Sequence, residues 1–534
     1  MKRKLLTALL CGALMLTSLA GCGQGAENQS GTSAGSESAV KDELVFVNYR
    51  DIRDLNPHLY AGEMYAQSIL YDTLVSNTSE GYVGCLAEDW TISEDGRIYT
   101  FNIRDGVTFS DGTPCDANAI LANFNAILEN RERHTWLEMM NLLVGVSAPD
   151  DDTFVIEMSE PYYPMLTELA CIRPFAMISP NCMIDGSTKD GVNGYIGTGP
   201  YVLTDFVTDE YAVFERNENY WGEKPAIRKI TVKVIPDNQT RIMALENGEI
   251  DLIFGKNMLD ADAISQYVDS DKFTVGLSDP TSTRHIVLNT THDILGDKSV
   301  RQALQHATNR QAISEGIFYG LEPAADTLYS TTVPYCDVDL EPYAYDMDEA
   351  ARLLDEAGWT MGSDGIRAKD GQKLALDLLY NSDSVTEKTI SEYLQSEYLK
   401  LGISLNIHGE EEQSYRDNMK AGNFDMVFNI CWGMPYDPQS SLAAMRAPVY
   451  GDYAAQQGLE DKAEIDQAIT DILTSTDETK RQELYTFVLT RLHEDAVYIP
   501  LTFETNKALY TSDLKGVHFG TDQYDVDFAS MYFE

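Results

Sequence analysis

The chain has 534 residues, which at about 100–200 residues per domain suggests about two to four domains rather than one small core. Its 43% hydrophobic and 10% aromatic content marks a folded, globular protein rather than a disordered one. A formal charge of −46 and a pI near 4.3 argue against a nucleic-acid partner, which needs a basic surface, and fit an acidic exterior that favours solubility.

In chain order, Lys2, Arg3 and Lys4 precede an apolar stretch from Leu5 to Leu19. The stretch is shorter than the ~20 residues that span a bilayer and has the charged start of a secretory signal, here residues 1–21. It ends in Leu19-Ala20-Gly21-Cys22, which resembles the lipobox of bacterial lipoproteins. That resemblance implies cleavage before Cys22, lipidation of its sulfur and anchoring at a membrane. Residues 22–40, rich in Gly, Ser, Asn and Glu, then read as a flexible tether.

Beyond the tether, helix and strand signals mix, giving an α/β class. Ile120, Leu121, Phe124, Ile127 and Leu128 form a helical stripe with Asp116 as N-cap. Ile230, Val232 and Val234 alternate as in a strand with one buried face. Asp346 and Glu349 form a capping-box-like start before Ala350, Leu353 and Leu354. Leu374, Leu376 and Leu378 alternate, a helix is predicted around 386–399, Gly402 stops it, and Ile403, Leu405 and Ile407 alternate again. This strand, helix, strand order predicts a parallel right-handed unit.

Catalytic motifs are weak. Gly31-Thr32-Ser33-Ala34-Gly35 matches the serine nucleophile elbow but lies in the tether, not on a strand-to-helix turn. Gly197-Thr198-Gly199-Pro200 opens like a dinucleotide loop yet lacks the third glycine. His493-Glu494 lacks the second histidine of a zinc-protease helix. Six cysteines beyond Cys22 form no C-x-x-C pair; Cys171 and Cys182 are a conceivable disulfide, and buried thiols are the general expectation. No catalytic constellation emerges, so no enzyme is expected.

Longer stretches carry the class. Ala87-Glu88-Asp89-Trp90, Tyr99-Thr100-Phe101, Phe109-Ser110-Asp111-Gly112, Gly197-Thr198-Gly199-Pro200-Tyr201, Arg216 to Gly222, Gly248 to Leu252 and Val300-Arg301-Gln302-Ala303-Leu304 stand in order along the mature chain. Together they resemble the large solute-binding proteins of peptide and nickel ABC importers. The resemblance implies a two-lobe, periplasmic-binding-protein-like fold with a hinge and an interlobe ligand cleft. Lobe I would comprise residues 41–281 and 505–534, and lobe II residues 282–504. It further implies an extracytoplasmic receptor, at the cell surface or in the periplasm, that delivers its ligand to the permease subunits of an importer.

Within that family, peptide binders carry an acid before the tyrosine of a W-x-x-D-Y-x-D-P pattern, to pair with the peptide's amino group. Here Trp432-Gly433-Met434-Pro435-Tyr436-Asp437-Pro438 offers none, and a buried ammonium without its counter-charge costs several kcal/mol. The stretch is similar instead to the nickel-binding members. So are Arg131 to Leu137, Pro161-Tyr162-Tyr163-Pro164, Arg173-Pro174-Phe175, Gly409 to Glu412 and Ala454 to Leu459. In those proteins the metal arrives with small organic chelators. The matched positions imply that Arg133 and Arg173 face the chelator's carboxylates, that Met64, Trp136, Trp432 and Tyr436 line the walls, and that Tyr60 lies close by. Tyr450 occupies the position of a metal-ligating histidine, so no direct protein ligand is expected, with His58 and His134 as weak alternatives. No cofactor is expected; the nickel chelate is cargo. A peptide or opine receptor of the same family is the alternative.

Overall fold

The computed structural model describes residues 41–78, 81–255, 258–431, 438–520, 524 and 526–534. Residues 41–534 form one compact unit. The signal segment, Cys22 and the tether lie outside the described residues, as do Trp432 and Tyr436.

A ten-stranded mixed sheet runs through the unit. Its order is Tyr201–Val207, Tyr211–Arg216, Lys229–Val234, Glu43–Asn48, Leu252–Phe254, Tyr498–Thr511, Phe273–Leu288, Met426–Cys431, Ala375–Asn381 and Ser404–Glu410. The strand expected from Ile230 and Val232 is present, with both side chains fully or almost fully buried, and it pairs in parallel with Glu43–Asn48. The expected strand, helix, strand unit is Ala375–Asn381, Val385–Lys400 and Ser404–Glu410, whose strands are parallel with Ala375 opposite Ser404. Gly402 follows the helix at φ 77°, a left-handed conformation that suits glycine. Asp116 accepts from the Ala119 N–H, and Asp346 from those of Asp348 and Glu349, so both caps form as expected.

Two long neighbouring strands, Phe273–Leu288 and Tyr498–Thr511, join the halves of the sheet. Their pairing shifts register around Pro280, where the missing N–H removes a ladder bond. The predicted lobe boundaries at 281/282 and 504/505 fall at this irregularity. A buried ionic network sits beside it: Arg284 pairs with Glu504 and, at 3.7 Å, with Glu322, which Lys507 also reaches at 3.1 Å.

Separate apolar cores flank the two long strands. One gathers Leu44, Phe46, Ile230 and Val232 with Ile69 and Leu70 of the helix Met64–Leu70. Another packs Ile286, Leu376, Ile390, Leu394 and Leu405 around the parallel unit. A four-stranded antiparallel sheet, Ala87–Ile92, Ile98–Ile103, Thr153–Met158 and Leu143–Ser147, shares a third core with the helix Ala117–Glu129. The six cysteines Cys85, Cys115, Cys171, Cys182, Cys336 and Cys431 are all buried thiols, so no disulfide joins Cys171 to Cys182.

Candidate functional site

Tyr60 is the hub of the best-defined polar cluster. Its hydroxyl lies 2.7 Å from His134 Nδ1 and accepts the Trp136 Nε1–H at 2.8 Å. Its ring is approached by two guanidiniums, with Cζ of Arg133 at 5.7 Å and of Arg173 at 5.8 Å from the centroid. Burial pushes the Tyr60 hydroxyl up to about 12, against the opposing pull of the Trp136 donor and both guanidiniums, so it stays a neutral phenol.

Local structure fixes each partner. Arg133 and His134 lie on a short 3-10 turn, Arg131–His134, which Arg131 pins by donating to the carbonyls of Met140 at 2.6 Å and Leu143 at 2.8 Å. His134 is fully buried, whereas Trp136 two residues on is 46% exposed. Arg173 donates through Nη1 to the carbonyls of Tyr60 and Gly62, both at 3.1 Å, and so shapes the loop that carries the hub. Arg133 is exposed and makes no ion pair among the described residues. Met64 opens the helix Met64–Leu70 and is nearly buried.

Next to the hub is a cavity of about 550 Å³, lined by Tyr60, Met64 and Arg173 with Asn48, Arg50 and Glu63. Glu63 bonds Arg50 at 2.5 Å and Asn48 at 3.2 Å. No sequence pattern marks these last three. They belong to no motif, and a Glu63 that spends its charge on Arg50 leaves no pattern along the chain.

The two histidines that stood as weak alternatives for metal binding differ. His58 holds Thr188 Oγ1 at 2.9 Å through Nδ1 and the Ala176 carbonyl at 3.2 Å through Nε2. A carbonyl only accepts, so Nε2 carries the proton and Nδ1 accepts from the threonine. Both nitrogens are engaged, and burial pushes the ring down to about 3, which fits a neutral structural histidine. His134 is held down to about 4 by burial and by Arg133. Its Nδ1 is spent on Tyr60, while its Nε2 is buried with no hydrogen-bond partner among the described residues. Among the described residues no group of three or more His, Cys, Asp or Glu side chains is placed to hold a metal ion.

The structure therefore brings Tyr60, Arg133, His134, Trp136 and Arg173 together, with Met64 beside them in the cavity wall. Tyr450 belongs to the other half of the chain, at the N-cap of the short helix Gly451–Ala455. Burial raises its hydroxyl pKa; Arg416 opposes this and Asp452 adds to it. The arrangement around Tyr60 offers a planar anion two cationic forks and flat aromatic faces, which suits a carboxylate-bearing ring system.

Glu168 stands behind the cluster. Its carboxylate accepts from the Tyr162 hydroxyl at 2.6 Å and from the N–H groups of Glu138 and Met139 at 3.2 and 3.0 Å, just beyond Trp136. Burial outweighs these donors and pushes it up to about 7. The folded state thus holds this proton more tightly than the unfolded chain. Its contribution to stability is present below about pH 4.5 and is lost as pH rises through about 7. Buried Asp452, raised to about 6, adds a loss of the same sign, while His58, His134 and His285, held by burial down to about 3, 4 and 4, add stability as pH rises. Glu168→Gln should therefore make the thermal midpoint fall less, relative to the parent, between about pH 4.5 and 7. An unchanged profile would remove Glu168 as its source.

The chain is similar to known proteins over most of its length. Residues 81–452 match the model of the bacterial extracellular solute-binding proteins, family 5. The nickel-binding periplasmic protein of Escherichia coli (strain K12) is 41% identical over 92% of this chain and 95% of its own length. The crystal structure of NikA from Brucella suis in complex with Fe(III)-EDTA superposes with a TM-score of 0.89 at 44% identity, covering 92% of this chain and all of that one. The periplasmic oligopeptide-binding protein OppA of Salmonella typhimurium (strain LT2) is 26% identical over 98% of this chain and 97% of its own.

Proposed function

Because the chain belongs to the bacterial extracellular solute-binding proteins of family 5, we propose that it captures a carboxylate-bearing chelate of nickel or another divalent metal and delivers it to an ABC importer. The carrying observation is the convergence of Arg133 and Arg173 on the Tyr60 ring beside Trp136. Two guanidiniums can hold carboxylates by paired hydrogen bonds, and aromatic faces exclude water from a flat chelate. The relatives named for nickel and crystallised with a metal chelate support the same cargo class.

In this reading residues 41–281 with 505–534 form one lobe and 282–504 the other, hinged where the two long strands change register. Tyr60, Met64, Arg133, Trp136 and Arg173 recognise the cargo from the first lobe. Trp432, Tyr436 and Tyr450 complete the site from the second. Tyr450 replaces imidazole with a neutral phenol, a poor ligand for nickel, so the chelator supplies the metal's nitrogen and oxygen donors. Signal cleavage before Cys22 and lipidation of its sulfur hold the receptor at the membrane surface, outside the cytoplasm, where it meets the permease subunits.

Native mass spectrometry of the exported protein tests this directly. The expected species carries one metal ion together with a small organic chelator, on a chain that begins at a lipid-bearing Cys22. A retained peptide without metal would move the protein to the peptide-binding branch of the family, and a non-lipidated start would remove the anchor.

A further inference from the structure

The segment Pro161-Tyr162-Tyr163-Pro164 makes a contact far along the chain that ligand recognition does not require. The Tyr163 N–H donates to the Leu473 carbonyl at 3.1 Å. Its hydroxyl donates to Glu478 Oε1 at 2.8 Å and lies 3.0 Å from the Tyr335 hydroxyl. The Arg481 guanidinium stacks on its ring, with Cζ only 3.4 Å from the centroid. Every one of these partners falls within residues 282–504.

The receiving surface is held together by contacts of its own. Glu478, Arg481 and Tyr485 follow one another at spacings of three and four on the helix Glu478–Glu494, which places them on one face. Arg481 is completely buried and is held by the carbonyls of Ile472 and Ser475 and by the Gln439 side chain. Tyr335 stacks flat on Tyr485 at 4.8 Å and 4°, and its hydroxyl bonds Glu478. Tyr335 also holds φ at 67°, a left-handed conformation that bulky residues avoid. No carboxylate pairs directly with Arg481 among the described residues. Guanidinium is weakly hydrated for a cation, and aromatic faces are a suitable cover for its charge.

The other end of the segment leads back to the cargo site. Tyr162, the neighbour of Tyr163, bonds Glu168, and Glu168 caps the backbone at Glu138 and Met139, two and three residues past Trp136. The loop that presents His134 and Trp136 and the segment that reaches across are thus fastened to one carboxylate.

We propose that Tyr163 is a closing latch, whose ring and hydroxyl dock into the Arg481, Glu478 and Tyr335 socket of the opposite lobe and hold the closed form whatever the cargo. This rests on the two-lobe reading above. A cation–π stack removed from water corresponds to roughly tenfold in a two-state equilibrium. The latch therefore acts on how long a captured ligand stays, with little effect on how fast it is met.

The test uses the mature full-length protein and the nickel(II)–L-histidine complex as probe. Tyr163→Ala should raise the stopped-flow dissociation rate by roughly tenfold and change the association rate by less than about threefold. In the absence of any ligand it should also enlarge the radius of gyration measured by small-angle X-ray scattering. Tyr163→Phe, which keeps the stack and loses the hydroxyl bonds, should fall between it and the parent, and it decides the matter if the alanine variant does not fold. Variants with the parent's dissociation rate and ligand-free radius would overturn the latch. If the parent does not bind the probe, the cargo assignment fails, and the ligand-free radii alone then decide the latch.

Discussion

Replacing Arg173 with alanine should weaken binding of the nickel(II)–L-histidine complex by at least roughly 30-fold, following the 2–5 kcal/mol cost of stripping a buried charge of its partner. Two losses combine in this effect. The fork proposed to face the cargo's carboxylate disappears, and the carbonyls of Tyr60 and Gly62 lose the donor that orders their loop. Arg173→Lys separates them, since a single ammonium retains the charge but not the fork. It should recover part of the affinity, and titration calorimetry with both variants reads the difference. Arg133→Ala should cost less, because that side chain is exposed and shapes no backbone. An Arg173→Ala protein with unchanged affinity would take this residue out of the site.

Gly197→Ala should be the most damaging single-methyl change in the frame around the site. A Cβ at this position would lie 2.0 Å from the Leu70 carbonyl oxygen and 2.4 Å from Tyr71 Cδ1. The obstacle is backbone at the end of the helix that Met64 begins, so no rotamer can relieve it. The chain must shift, at a cost of about 3 kcal/mol. Thr198 next door donates to Asp72, which also accepts from Trp221 Nε1, so the shift would disturb that bonded corner as well. Urea unfolding should show a lower midpoint than the parent. An alanine variant as stable as the parent would mean that the loop has room the packing does not show.

The same loop illustrates what could and could not be read from the residues. Gly197-Thr198-Gly199 is visible as a motif, but only the structure shows that its glycines let two backbones touch rather than a phosphate bind. Elements with one buried face were legible. The parallel unit at 375–410 alternates cleanly, its helix is bounded by Gly402, and Asp116 and Asp346 cap as their chemistry requires. The two long strands were not legible, because Phe273–Leu288 changes from partial exposure to burial on both faces along its length. Period-two alternation fails there, and Pro280 interrupts it.

At the site, resemblance to a family supplied the residue set, and packing supplied its organisation. Tyr60 stood in the sequence as a neighbour of the site and proves to be the residue that His134, Trp136 and both arginines surround. His58 sits two residues away with the same chemical promise as His134. Its partners Thr188 and Ala176 lie more than a hundred positions downstream, so nothing local could reveal that both its nitrogens are engaged. Tyr163 was visible only as part of a shared stretch. Its partners between 335 and 481 are equally remote.

The proposed recognition is of a chelate through the chelator's carboxylates and aromatic contacts, not of the metal through the protein's own side chains. Calorimetry with bare nickel(II), with L-histidine alone and with their preformed complex tests it most directly. Tight, stoichiometric binding of the complex, with weak binding of each component alone, is the predicted result. Tight binding of bare nickel(II) that disappears in His134→Ala would contradict it.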